Sequence, residues 1–201
     1  HVTGVQTCAL PIFAMARRDS VTVSIAALTS EGGTQYGNDE ALELLAHLLG
    51  GGQTSLLYRK LVVDKKVAVA AGAYYMGTSL DETRFWLYGM PAPDVTLEDL
   101  DRAVGEVIAE VVKNGVEPAD LVRAKTRLIA DAVYAQDSQT ALARWYGAAL
   151  TTGSSITDIQ EWPARIDAVT ADAVKAACAK WLEPKRAVTG FLLPEKKAEA
   201  A

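Results

Sequence analysis

The most restrictive feature of this chain is where its two hydrophobic periodicities fall. Alternation with a period of two, expected of a half-buried strand, lies near the beginning and at the end. From Thr96 to Trp181 the apolar residues instead recur at helical spacing. Ser20 to Leu28 sets Val21, Val23, Ile25 and Ala27 against Thr22, Ser24 and Ala26, and predicts a strand. Val67 to Gly77 and Thr83 to Met90 are rich in β-formers, and the linker Thr78 to Glu82 suits an antiparallel hairpin. Ala187 to Leu193 returns to strand character. The order is strand, two helices, hairpin, a block of about five helices, strand. Such segregation predicts an α+β fold, a largely antiparallel sheet with helices packed on one face.

Local signals place the helix ends. Asn38 is a candidate N-cap for a helix carrying Leu42, Leu44, Leu45, Leu48 and Leu49, closed by Gly50, Gly51 and Gly52. Thr54 to Val63 predicts a second, shorter helix. Thr96 with Asp99 forms a capping box ahead of Leu97, Leu100, Val104, Val107, Ile108 and Val111, and Asn114-Gly115 stops that helix. Pro118 suits a first turn, with Leu121, Ala124, Leu128 and Ala132 running on to about Ala135. Ser138 opens a helix through Leu142, Trp145, Tyr146 and Ala149, ended by Gly153. Ser155 with Asp158 caps a short helix expected to break at Pro163. Thr170 opens the last, along Val174, Ala177, Cys178 and Trp181, and Pro184 ends it.

Composition narrows the function classes. Half of the 201 residues are hydrophobic and 22% are charged, enough apolar mass for one sizeable core or two small ones. With 20 basic against 25 acidic side chains, net charge -5 and no basic cluster, nucleic acid is not an expected partner. No apolar run approaches the roughly 18 residues of a membrane span. Two cysteines, Cys8 and Cys178, make no disulfide framework, and two histidines, His1 and His47, leave little for a zinc site.

The remaining candidates are weak individually. Glu40, Glu43 and His47 share a helical face, and Glu43 to His47 has the i, i+4 spacing that zinc sites use, but an exposed polar face is the preferred reading. The Gly50-Gly52 run can cradle an anion or a peptide backbone; a helix C-cap with a tight interhelical turn is preferred. Trp86, Trp145, Trp162 and Trp181 can line a groove, although Trp145 and Trp181 fall on apolar stripes and predict core packing. Asp131, Asp137 and Glu161 offer carboxylates at no spacing that assigns acid and base roles. A serine hydrolase would need His47 as base, and no Gly-x-Ser-x-Gly elbow is present. Residue chemistry alone yields no catalytic or metal-binding residues.

Several segments in order nevertheless resemble the C-terminal lobe of the M16 (insulinase, pitrilysin, mitochondrial processing peptidase) family, from about residue 20 to 194. They are Ala41-Leu-Glu-Leu-Leu-Ala-His-Leu-Leu-Gly-Gly-Gly52 with Thr54-Ser-Leu-Leu-Tyr-Arg-Lys-Leu61, Asn114-Gly-Val-Glu-Pro-Ala-Asp-Leu-Val-Arg-Ala-Lys125, Ala168-Val-Thr-Ala-Asp-Ala-Val174, Trp181-Leu-x-Pro184 and Val188-Thr-Gly-Phe-Leu-Leu-Pro194. The resemblance implies an M16/LuxS-like half-subunit lobe from a zinc metalloendopeptidase. The family's His-x-x-Glu-His helix lies in the N-terminal lobe and is absent here, so zinc is implied for that missing lobe and no cofactor for this chain. It also implies as partners the N-terminal zinc lobe of the same subunit, peptide substrates and a subunit bearing an Arg/Tyr pair. At the positions of that pair this chain has Val62 and Val69, which cannot donate a hydrogen bond; Arg59 is out of register. The lobe is therefore expected to pack in the peptide-binding chamber and to be inactive alone. The alternative is a structural or peptide-binding, non-catalytic M16-like subunit. Bacterial relatives point to a periplasmic address.

Val2 to Ile12 reads as one frame of a common sequencing-library adapter, so residues 1–12 are expected to be an artefact. The lobe is then expected over 13–194, with 195–201 a frayed tail.

Overall fold

The computed structural model describes residues 22–29, 39–79 and 83–193. The expectations for residues 1–21, for Asn38 and for the 195–201 tail lie outside them. Four strands, β1 (Thr22–Thr29), β2 (Ala68–Met76), β3 (Thr83–Pro91) and β4 (Ala187–Leu192), form one sheet in the order β2-β3-β1-β4. Every pairing is antiparallel, and β2 and β3 form the expected hairpin. The inward-outward alternation expected of β1 side chains lies outside what is described.

Among the described residues are six α-helices: α1 (Asp39–Gly50), α2 (Leu97–Asn114), α3 (Pro118–Ala135), α4 (Gln139–Thr151), α5 (Ile156–Ala168) and α6 (Ala171–Trp181); α1, α2 and α6 pack on the sheet. Their starts follow the capping chemistry of the sequence. Thr96, Ser138, Ser155 and Thr170 each accept a hydrogen bond from the backbone N–H three residues on, satisfying a donor the helix cannot. Ser155 and Asp158 complete a reciprocal capping box, while at Thr96 the threonine hydroxyl donates to the Asp99 carboxylate at 2.7 Å. Gly115 ends α2 at φ +79, a conformation costly for any residue with a Cβ.

The core is centred on α1, whose Leu42, Leu44, Leu45 and Leu49 are at most 1% exposed. It packs on β2 and against α3, α5 and α6. Thr83, Phe85 and Leu87 of β3 turn to the same interior, with Leu100, Ile166 and Trp181 closing it. Trp181 is the core residue its helical stripe predicts. Gly50 sets the closeness of helix and sheet. A Cβ there would overlap the backbone nitrogen of Ala73 and come within 2.5 Å of the Gly72 carbonyl carbon, so only glycine lets the end of α1 lie on the β2 backbone.

One helical expectation gains detail and one needs correction. The second helix, expected over Thr54 to Val63, is present as a π-helix over Tyr58–Asp64, with the Lys65 N–H bonding the Lys60 carbonyl at 3.0 Å. The β-branched Val62-Val63 pair favours α-helix poorly. The wider turn keeps Leu57 and Leu61 fully buried while Lys60 and Lys65 reach Glu110 and Glu106 of α2. Pro163 does not break its helix; α5 runs through it to Ala168. Tertiary contacts outweigh local propensity here: Ile159 and Ile166 are buried on either side, and Trp162 and Arg165 are both hydrogen-bonded to α1. Among the described residues, no helix is long and apolar enough to cross a membrane.

Gly50→Ala is expected to destabilise the chain by more than about 3 kcal/mol in urea unfolding, since the obstruction is backbone that cannot rotate away. Gly105→Ala, in the exposed middle of α2 where a Cβ meets nothing within 4 Å, is expected to stabilise it by about 0.5–1 kcal/mol. Equal effects of the two would contradict this packing.

Candidate functional site

The polar face of α1 is not the exposed face expected of it. Glu40 is 5% exposed, and the Arg165 Nε of α5 donates to it at 2.5 Å. One turn on, the Trp162 Nε1 donates to Glu43 Oε2 at 2.8 Å. Arg165 also donates through Nη2 to the Asp158 carbonyl at 2.9 Å. At the start of the helix the Tyr75 hydroxyl donates to Asp39 at 2.8 Å, with the Thr83 hydroxyl 3.0 Å from its oxygen. These partners lie 36, 119 and 125 residues from α1 in sequence, beyond any local pattern.

They line a cleft of about 420 Å³ that also involves α3, α4 and the end of β2. Its aromatic corner is Trp145 of α4 against Trp162, centroids 6.0 Å apart and planes at 83°. Trp145 is thus half-buried on the cleft wall and is not the core residue its apolar stripe suggested. The Glu43 carboxyl is pushed up to about 7, chiefly by burial and further by neighbouring Glu40 and Asp39, with the Trp162 hydrogen bond opposing. A carboxyl so placed can hold or release a proton near neutrality.

His47, one turn beyond Glu43, opens onto a different cleft formed with α3 and the Gly50-Gly52 turn. The i, i+4 pair is therefore divided between two cavities. Among the described residues no three His, Cys, Asp or Glu side chains are grouped to hold a metal. Cys178 is fully buried in α6, and burial pushes its thiol up to about 12, which leaves it inert at neutral pH. Val62 is half-buried in the π-helical segment and packs on the core. Val69 lies on the edge strand β2, at the register shift between Ala68 and Ala70, and is 49% exposed.

Comparison with known proteins agrees with this architecture. The family model described as the peptidase M16 inactive domain matches residues 10–128, more than half of the chain. No curated protein sequence matches. Among solved structures, a protease from Helicobacter pylori is similar with TM-score 0.79 and 20% identity over 87% of this chain, which spans 41% of that protein. The inactive peptidase domain from Bordetella parapertussis aligns with TM-score 0.76 and 16% identity, over 92% of this chain and 99% of that one. The peptidase M16 inactive domain from Pseudomonas fluorescens gives TM-score 0.73 at 19% identity, over 87% and 41%.

In the folded chain Glu43 keeps its proton up to about pH 7, against 4.5 for an ordinary glutamate. Between those values the native state holds a proton that the unfolded chain has released, so stability falls as pH rises through this window. Glu43→Gln, which retains an acceptor for Trp162, is expected to match the parent in urea at pH 5. At pH 8 it should exceed the parent by on the order of 2 kcal/mol. Parallel pH profiles for the two proteins would refute the assignment.

Proposed function

This chain belongs to the peptidase M16 family as its inactive domain, and from that membership we propose that it forms one wall of a peptide-binding chamber. The lobe runs over 13–194. It packs against an N-terminal lobe whose His-x-x-Glu-His helix holds the zinc and activates water. The chain supplies walls and excludes bulk water, which strengthens electrostatic interactions inside. A partner subunit carrying the Arg/Tyr pair completes the site, because Val62 and Val69 offer no donor to a scissile carbonyl.

The observation that carries this reading is the uncovered face of the sheet. Tyr74 and Trp86, cross-strand partners, stack there with centroids 5.7 Å apart and planes at 8°. Tyr74, Met76 and Tyr88 are each more than two-fifths exposed, and Val188 of β4, in the same cross-strand row as Trp86, extends the apolar surface. The Trp86 indole nitrogen is enclosed and has no hydrogen-bond partner among the described residues. A contiguous aromatic face of this kind is expected to be covered in an assembled protein. The absence of donors at positions 62 and 69 equally suits the second reading, a non-catalytic M16-like structural subunit.

The purified 201-residue chain is expected to cleave no peptide and to self-associate in light scattering, with Tyr74→Lys combined with Tyr88→Lys shifting it toward monomer. Chelator-sensitive peptide cleavage by this chain alone would overturn the proposal. Retention of about one zinc per chain by a full-length protein that includes the upstream lobe separates the enzyme from the structural subunit.

A further inference from the structure

The second cleft differs from the first in the sign of its charge. It encloses about 460 Å³ between the C-terminal half of α1, the Gly50-Gly52 turn, the start of the next helical segment and α3. Arg59, Arg123 and Arg127 line it, and Asp120 is the single carboxylate among its lining residues, an excess of two positive charges. Asp120 is shared: Arg59 donates to one oxygen at 2.7 Å and Arg123 to the other. Arg127 has no ion pair among the described residues, and its Nη1 lies over Gly52, 3.9 Å from where a Cβ would sit.

An independent observation lies on the same wall. Ser55 is 4% exposed, and its hydroxyl has no hydrogen-bond partner among the described residues. Buried polar groups are almost always paired, so an unpartnered hydroxyl lining the same cleft as Arg127 points to a bound acceptor. His47 adds a neutral imidazole. Burial first, and Arg127 next, hold its pKa below the ordinary range, with Asp131 opposing. The remaining surface is apolar, from Leu48, Val122, Ala124 and Ala130.

We propose that this cleft is a binding site for the carboxylate of an acidic peptide side chain. Arg127 and Arg123 take the oxygens, the Ser55 hydroxyl donates a further hydrogen bond, and the apolar wall accepts the methylenes. Guanidinium forks match a carboxylate in bidentate geometry. Inorganic phosphate would match the charge but gain nothing from Leu48 and Val122. The site involves neither Val62 nor Val69 and does not depend on a catalytic lobe, so it stands if the chamber reading fails.

The test follows the His47 ring protons by NMR in the 201-residue chain, with His1 as an internal reference. The probes are acetylated, amidated Ala-Glu-Ala, its Ala-Gln-Ala counterpart and inorganic phosphate at matched ionic strength. Ala-Glu-Ala is expected to move the His47 midpoint saturably to higher pH, because the added negative charge favours the imidazolium. Arg127→Gln and Arg123→Gln should each weaken this binding about tenfold, the scale of one charged hydrogen bond. Ser55→Ala should weaken it severalfold while leaving urea stability unchanged or higher, because the hydroxyl has no internal partner to lose. Equal responses to Ala-Glu-Ala and Ala-Gln-Ala would overturn the proposal. So would phosphate saturating the site at lower concentration than the peptide, or full affinity in the folded arginine variants.

Discussion

The close approach of α1 to the backbone of β2 at Gly50 governs the rest of this structure. With no Cβ between helix and strand, α1 sinks until its leucines lie fully inside, and the elements around it become its walls. Strand β2 closes one side, α6 and α3 two others, and α5 crosses near the N-terminal end. A helix enclosed on so many sides leaves its polar residues only partly open to solvent, and Glu40 is buried outright. Asp39, Glu40 and Glu43 each find a partner on a neighbouring element.

That enclosure accounts for the two clefts. Glu40 and Glu43, drawn inward with α1, are met by Arg165 and Trp162 of α5, and Asp39 by Tyr75 of β2. These bonds also help hold α5 together across Pro163, where local propensity alone would end it. Further along α1, His47 emerges beside α3, where the arginines outnumber the one carboxylate. The two cavities thus lie at successive turns of a single helix, and among their charged lining residues acidic side chains outnumber basic ones in the first and basic outnumber acidic in the second.

Much of the frame was legible because its signals are local. Caps at Thr96, Ser138, Ser155 and Thr170, the stops at Gly115 and Gly153 and the Thr78 to Glu82 hairpin linker each depend on neighbours within a few residues, and the element boundaries follow them closely. The motif run from Ala41 to Leu61 and onward to Pro194 sufficed to suggest the family, to which the chain belongs. The candidate site was largely illegible. Glu40 and Glu43 read as surface because a charged face is ordinarily solvated, and nothing near them in sequence indicates Trp162 or Arg165. Trp145 read as core because periodicity reports which face turns inward, not whether that face meets a packed interior or a cavity.

The sequence by itself determined element types, their order, most of their ends and hence the α+β class, since these follow from backbone hydrogen-bond satisfaction and hydrophobic period over short spans. Tertiary structure alone decided that Glu40 is buried and Glu43 bonded to α5, that residues 58–64 widen into a π-helix, that α5 survives its proline, and that Arg59, Arg123 and Arg127 line one cleft with Ser55. Each of those outcomes depends on charges and volumes brought together from distant parts of the chain. A one-dimensional pattern carries no distance between such parts, whereas packing around one glycine-seated helix fixes it.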